Sequence, residues 1–130
     1  VVRAGLAAEG GREVKHTGDG IMASFASAAA AVRCAIQIQK NLAEHTRDHA
    51  HLPVVVRIGV AAGEPVENNR DLFGATVQLA ARLCAHASAG QSLVSNVVAE
   101  LCIGKNLPFQ DLGEVELKGF ERGVRIHAVG

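Results

Sequence analysis

The chain has 130 residues, of which 48% are hydrophobic and 20% charged, so it carries enough apolar material for one buried core and too little length for two. Thirteen Lys and Arg balance thirteen Asp and Glu, and the formal net charge of zero provides no global field for gripping nucleic acid or an anionic membrane. Four Phe with no Trp or Tyr also leave little surface on which bases would stack, so any phosphate ligand has to be held locally.

Small and branched apolar residues over 1–8 read as a helix, stopped by Gly10 and Gly11. Two strands follow at 12–16 and 21–25, joined through Thr17, Gly18, Asp19 and Gly20, where glycines supply the positive φ angles of a tight hairpin. From Ser27, a candidate N-cap, the period changes to 3.6, with Ala28, Ala31, Ala35, Ile38 and Leu42 on one stripe. A polar connection spans 45–51, and the β-branched run 54–62 reads as a central strand. A polar loop over 63–70 precedes a second amphipathic helix, expected at about 72–87 with Leu72, Thr76, Leu79, Ala80, Leu83 and Ala87 buried. A short strand at 92–94 then leads to a short helix over 96–103 capped by Ser95 and stopped by Gly104. Strands at 109–117 and 124–129 close the chain. The order β-β-α-β-α-β-α-β-β predicts an α+β sandwich, with helices on one face of a mostly antiparallel sheet.

No apolar stretch reaches the roughly 20 residues of a membrane span, because Arg33, Lys40, Arg57 and Arg82 interrupt the candidates. Cys34, Cys84 and Cys102 are odd in number and widely spaced, which suits small buried hydrophobes in a reducing compartment. With no secretory leader in view, the expected location is the cytoplasm.

Two polar groupings stand out. Asp71, Gln78 and Arg82 are spaced by seven and four residues, which on one helix places them in a narrow stripe apart from the apolar one. That spacing fits a solvated helix face equally well. Lys15 enters the hairpin and Asp19 sits in its turn, where ordinary turn chemistry alone accounts for an Asp between glycines.

Further motifs add a resemblance. EVKHTGDGIMASF at 13–25, SAAAAVRCAIQIQ at 27–39, RIGVAAG at 57–63, DLFGATVQLAARL at 71–83, GQSLVS at 90–95 and LGEVELKGF at 112–120 resemble, in order, the segments of class III nucleotidyl cyclase catalytic domains. The resemblance covers essentially the whole chain. It implies a ferredoxin-like cyclase sandwich and the conversion of a nucleoside triphosphate to its 3′,5′-cyclic monophosphate and pyrophosphate. It also implies two divalent cations, Mg²⁺ or Mn²⁺, which activate the attacking oxygen and neutralise the leaving group. Asp19 matches a metal carboxylate, Lys15 and Asp71 the base-reading pair, and Arg82 the arginine that stabilises transition-state charge. A Lys donor and an Asp acceptor suit N1 and N6 of adenine, so ATP is favoured over GTP. The family's sites lie between protomers of a head-to-tail dimer, so a homodimer is expected.

The sequence departs from the family at Gln78, which stands where an asparagine contacts the ribose and is one methylene longer. Ala75 replaces an Asp found in many members, and Phe120 a Lys found in some, with Lys118 nearby as a candidate substitute. The family's first metal aspartate and its strand fall before Val1, so residues 1–130 are expected to be one N-terminally truncated domain, with room for further domains in the whole protein. The alternative is a degenerate cyclase-homology domain that binds nucleotide, dimerises or regulates without turnover.

Two rival motifs are weaker. Gly18, Gly20 and Ala23 match a loose G-x-G-x-x-A dinucleotide pattern, but the flanks read as strands of a hairpin, and no G-x-x-x-x-G-K-[ST] loop is present. His45, His49 and His51 near Asp48 read as solvated loop residues, and His16, His86 and His127 as surface residues of strand or helix.

Overall fold

A computed structural model describes residues 2–17, 20–48, 55–64, 66–68 and 71–130, with the side chains of 2–4, 15–17, 66–68 and 71–73 outside the description. Helix α1 (Val2–Ala8) leads into the hairpin β1 (Arg12–Thr17) and β2 (Gly20–Ser24), followed by α2 (Ala28–Asp48). Strand β3 (Ile58–Val60) precedes the short pair β4 (Val66–Asn68) and β5 (Asp71–Phe73), then α3 (Ala75–His86). The chain ends with β6 (Ser92–Ser95), α4 (Asn96–Leu101), β7 (Phe109–Val115) and β8 (Val124–Val129).

The central sheet has the order β3-β6-β8-β7, with β3 and β6 parallel and the other two pairs antiparallel. Strand β6 organises the interior, since all four of its residues are buried. Leu93 joins Leu83, Ala87, Leu117 and Ile126 in a cluster on the α3 side. Val94 joins Ala29, Val32, Val98 and Cys102 on the α2 and α4 side. Consecutive strand residues point to opposite faces, so helices cover both sides of the sheet. This corrects the one-face arrangement expected from element order. Order alone does not show that a four-residue strand is buried on both faces.

A third cluster, Leu6, Cys34, Ile38 and Leu42, seats α1 and α2 against Ile21, Ala23 and Phe25 of the hairpin segment and against Val56 and Ile58. Gln39 ties α2 to the sheet by donating from Nε2 to the Val56 carbonyl and to Ser92 Oγ, both at 3.2 Å. Ser27 Oγ accepts from the Ala30 N–H at 3.2 Å, and Ser95 Oγ from the Val98 N–H at 3.4 Å, so both expected caps are present.

Several boundaries shift by one or two residues, such as α4 ending at Leu101 and β7 at Val115, and three differ in kind from the sequence reading. Helix α2 runs to Asp48, absorbing His45 and most of the expected polar connection. His49 and His51 lie outside the described residues. Among the described residues of the run 54–62, Ile58–Val60 is strand, and within the described four-stranded sheet it stands at one end beside β6 instead of at the centre. The expected helix over 72–87 begins three residues late, since Asp71, Leu72 and Phe73 pair with Val66, Glu67 and Asn68.

Candidate functional site

Asp71 therefore stands on a strand, and the helical spacing that grouped it with Gln78 and Arg82 does not apply. Leu72 continues the i, i+4 row of α3, which is why the periodicity ran past the true start. Gly74 makes the break, at φ 117° and ψ −176°, a region essentially closed to residues with a Cβ.

Strand pairing creates a different grouping. Strand β5, headed by Asp71, lies against β1, which carries Lys15 opposite Met22. The backbone segments of both expected base-reading residues are thus neighbours within one protomer. The β1–β2 register is irregular between Glu13 and Lys15, as at a β-bulge. Thr17 pairs with Gly20, and the intervening Gly18 and Asp19 lie outside the described residues.

Gln78 and Arg82 are both exposed on α3, one helical turn apart. The opposite side of α3 packs on β3 and β6. Leu83 is fully buried there, and Cys84 Sγ donates to the Arg57 carbonyl at 3.3 Å. Two glycines allow this close approach. A Cβ at Gly59 would strike the Ala80 carbonyl oxygen and the Cys84 backbone nitrogen, and one at Gly63 would strike Thr76 Oγ1. The sequence reading did not single out these glycines. Their spacing in RIGVAAG was the only available signal, and its meaning depends on the helix lying across it.

Other candidate groups are elsewhere. His127 is half-buried on β8, its Nε2 2.9 Å from Asn96 Oδ1 and its ring edge-on to Phe109 at 6.4 Å, so it is more enclosed than a surface strand residue. It borders an open groove of about 350 Å³ lined with Asn96, Glu100, Ile103 and Asp111, across the sheet from α3. Burial pushes the Cys34 and Cys102 thiols above their ordinary pKa, as suits the expected core residues, while Cys84 is half-buried. Among the described residues, no group of three His, Cys, Asp or Glu converges to hold a metal ion, and no helix is long and apolar enough to cross a membrane.

Residues 2–129 match the adenylate and guanylate cyclase catalytic domain. A provisionally named adenylate cyclase 3 of Rhizobium meliloti is 40% identical over 121 residues, which cover 89% of this chain and 20% of that protein. An adenylate cyclase of Streptomyces coelicolor is 34% identical over 95 residues, covering 73% of this chain and 24% of its own length. The chain thus spans about a quarter or less of the length of these relatives. Among solved structures, an adenylate/guanylate cyclase/hydrolase from Silicibacter pomeroyi superposes with a TM-score of 0.91 at 35% identity, covering 99% of this chain and 78% of that one. With a matching family description from end to end and the same fold in a relative of this similarity, the chain belongs to the adenylate and guanylate cyclase catalytic domain family.

Proposed function

We propose that residues 1–130 act as one cyclase domain that forms cyclic AMP and pyrophosphate from ATP, at a site completed by a second copy in a head-to-tail dimer. The observation that carries this reading is the contact between β1 and β5, the strands of Lys15 and Asp71, beside a helix with Gln78 and Arg82 exposed. The adenylate cyclase names of the Rhizobium and Streptomyces relatives favour the same base.

In this reading Lys15 donates to N1 of adenine and Asp71 accepts from its N6 amino group. Guanine reverses both partners and would leave buried polar groups mismatched, the strongest form of discrimination such a site has. The 3′-oxygen attacks the α-phosphorus in line, a new P–O bond forms, and the bond to the β-phosphate oxygen breaks to release pyrophosphate. Arg82 stabilises the charge that builds on the phosphoryl oxygens, and Gln78 holds the ribose by its amide. Both are exposed in one protomer, which fits an active site closed by the partner.

Asp19 is the residue of this chain assigned to the two divalent cations. Asp19 lies outside the described residues, and among the described ones no group of three His, Cys, Asp or Glu converges to hold a cation. A carboxylate at Asp19 would share divalent cations with the substrate phosphates, and the cations when bound would neutralise the leaving pyrophosphate. Gln78, one methylene longer than the family's asparagine, is what favours the second reading, a nucleotide-binding or dimerisation module without turnover.

Cyclic nucleotide formation from ATP and GTP with Mg²⁺ or Mn²⁺ separates the two. Cyclic AMP as the main product supports the cyclase. Nucleotide binding without product, in folded dimeric protein, supports the module. The cytoplasmic location is part of the same proposal and is checked by fractionation.

A further inference from the structure

We propose that Gly59 and Gly63 are positioning residues, which set how deeply α3 sits on β3 and thereby where Gln78 and Arg82 stand. This inference rests on the reading of Gln78 and Arg82 given above.

The geometry of α3 carries the argument. Thr76, Ala80 and Cys84 recur every four residues and form the line that meets β3 and its flanking residues, at Gly63, Gly59 and Arg57 in turn. Helix and strand therefore run in opposite directions, with contacts near both ends of the helix. Gln78 and Arg82 each follow a member of that line by two residues, about 200° round the helix at roughly 100° per residue. The functional pair is thus on the far side of the helix from the glycines. A 12-residue helix behaves as a rigid rod here, so any change in its height on the strand passes to the far side.

The two glycines differ in what they face. At Gly59 the obstacles are backbone atoms of Ala80 and Cys84, which cannot swing aside, with Leu83 Cβ at 3.0 Å as well. At Gly63 the obstacle is the Thr76 side chain, which can be trimmed. To bring a new Cβ to the roughly 3.5 Å separation of non-bonded atoms, the facing atoms have to give way by about 1 Å, which at Gly59 moves the α3 backbone and at Gly63 presses on Thr76 in the first turn of α3. A displacement of that size at reacting groups lowers turnover by about 100-fold.

The asymmetry supplies the test. Turnover, KM and melting temperature are measured for the full chain as wild type, Gly63→Ala, Thr76→Ala and the double variant, with Arg82→Ala alongside, and crystal structures are determined for the glycine variants. Gly63→Ala is expected to lower kcat by about 10- to 100-fold with KM within about threefold. Adding Thr76→Ala is expected to recover most of that loss relative to Thr76→Ala alone. A folded Gly63→Ala with unchanged kcat overturns the proposal, as does a loss that the second substitution leaves in place. If Gly63→Ala does not fold, Thr76→Ile presses on the same contact from the helix side and replaces it under the same criteria. If the wild type shows no turnover, or Arg82→Ala matches it, the reading of the site has failed, and the structures decide the positioning separately. In that case α3 displaced in Gly63→Ala and returned in the double variant upholds it, and α3 unmoved refutes it.

Discussion

Gln78 and Arg82 stand one turn apart on the exposed side of α3, while Leu83, next to Arg82 in sequence, is fully buried against Leu93 and Ile126. A side chain in contact with solvent is thus held by a backbone that cannot move without opening the core. Such a helix suits preorganised electrostatics, in which the charged group is fixed before charge develops.

Arg82→Ala is expected to lower kcat by about 10²- to 10³-fold and to change KM far less, because the interaction belongs to the transition state. Steady-state kinetics on ATP checks this. A rise in KM at constant kcat would show that Arg82 only holds substrate.

In the proposed function, the contact between β1 and β5 makes base choice a joint property of Lys15 and Asp71. Lys15→Glu combined with Asp71→Cys is expected to shift the ratio of cyclic AMP to cyclic GMP formation towards GTP, by altering a donor and an acceptor together. An unchanged ratio refutes the base-reading assignment.

Asp19→Ala is expected to abolish metal-dependent turnover while leaving the melting temperature within a few degrees, since the sequence around Asp19 reads as a polar turn and supplies nothing to an apolar core. Titration with Mn²⁺ at several concentrations checks it, and activity at the wild-type level in the variant removes Asp19 from the metal site.

Two glycines on either side of the site should fail for different reasons when replaced. Gly59→Ala overpacks the α3–β3 contact and is expected to destabilise the fold by about 1–3 kcal/mol. Gly74→Ala has open space for its Cβ, so its cost of about 1–3 kcal/mol comes from the backbone angles alone. Denaturant melts measure both. A Gly74→Asn variant should recover less than a single well-packed residue would, because ψ near 180° at this φ lies outside the left-handed region that Asn tolerates.

Asp111 gives a pH prediction on the other side of the sheet. The Gly113 N–H, which donates to its Oδ1 at 2.7 Å, and Arg125, at 2.8 Å, hold its carboxyl below the usual range. A lowered folded pKa stabilises the fold above the ordinary carboxylate value of about 3.9, and that stabilisation is lost as pH falls through the folded value. Asp111→Asn is expected to flatten the fall in melting temperature below about pH 4. Identical slopes for the two proteins would falsify this.

Signals local in sequence were legible. Ser27 and Ser95 announce their helices, and the stripe through Ala35, Ile38 and Leu42 is the buried face of α2. Strands β7 and β8 fall where alternation and turns put them. What failed depends on partners distant in the chain. Three-residue strands such as β4 and β5 are too short to show a period, so Leu72 was absorbed into the helix and Asp71 with it. The fitness of Gly59 for its place exists only once α3 lies across it. The expected roles of Lys15 and Asp71 came from resemblance, and their common neighbourhood from strand contact, which no spacing rule links.

Gly74 divides the candidate site by a single residue. Upstream, β5 ends a short hairpin whose register is set by Val66, Glu67 and Asn68; downstream, α3 takes its bearing from β3 and β6. Though β5 and α3 touch, they lean on different partners, β5 on β1 and β4 and α3 on β3 and β6, and the turn between them has backbone angles that glycine permits. In the proposed function, base recognition through Asp71 and phosphate handling through Arg82 are thereby borne by separate elements. Exchanging 66–73 together with β1 between relatives should carry the base preference across without disturbing α3, which gives a domain of this kind room to diversify in what it reads.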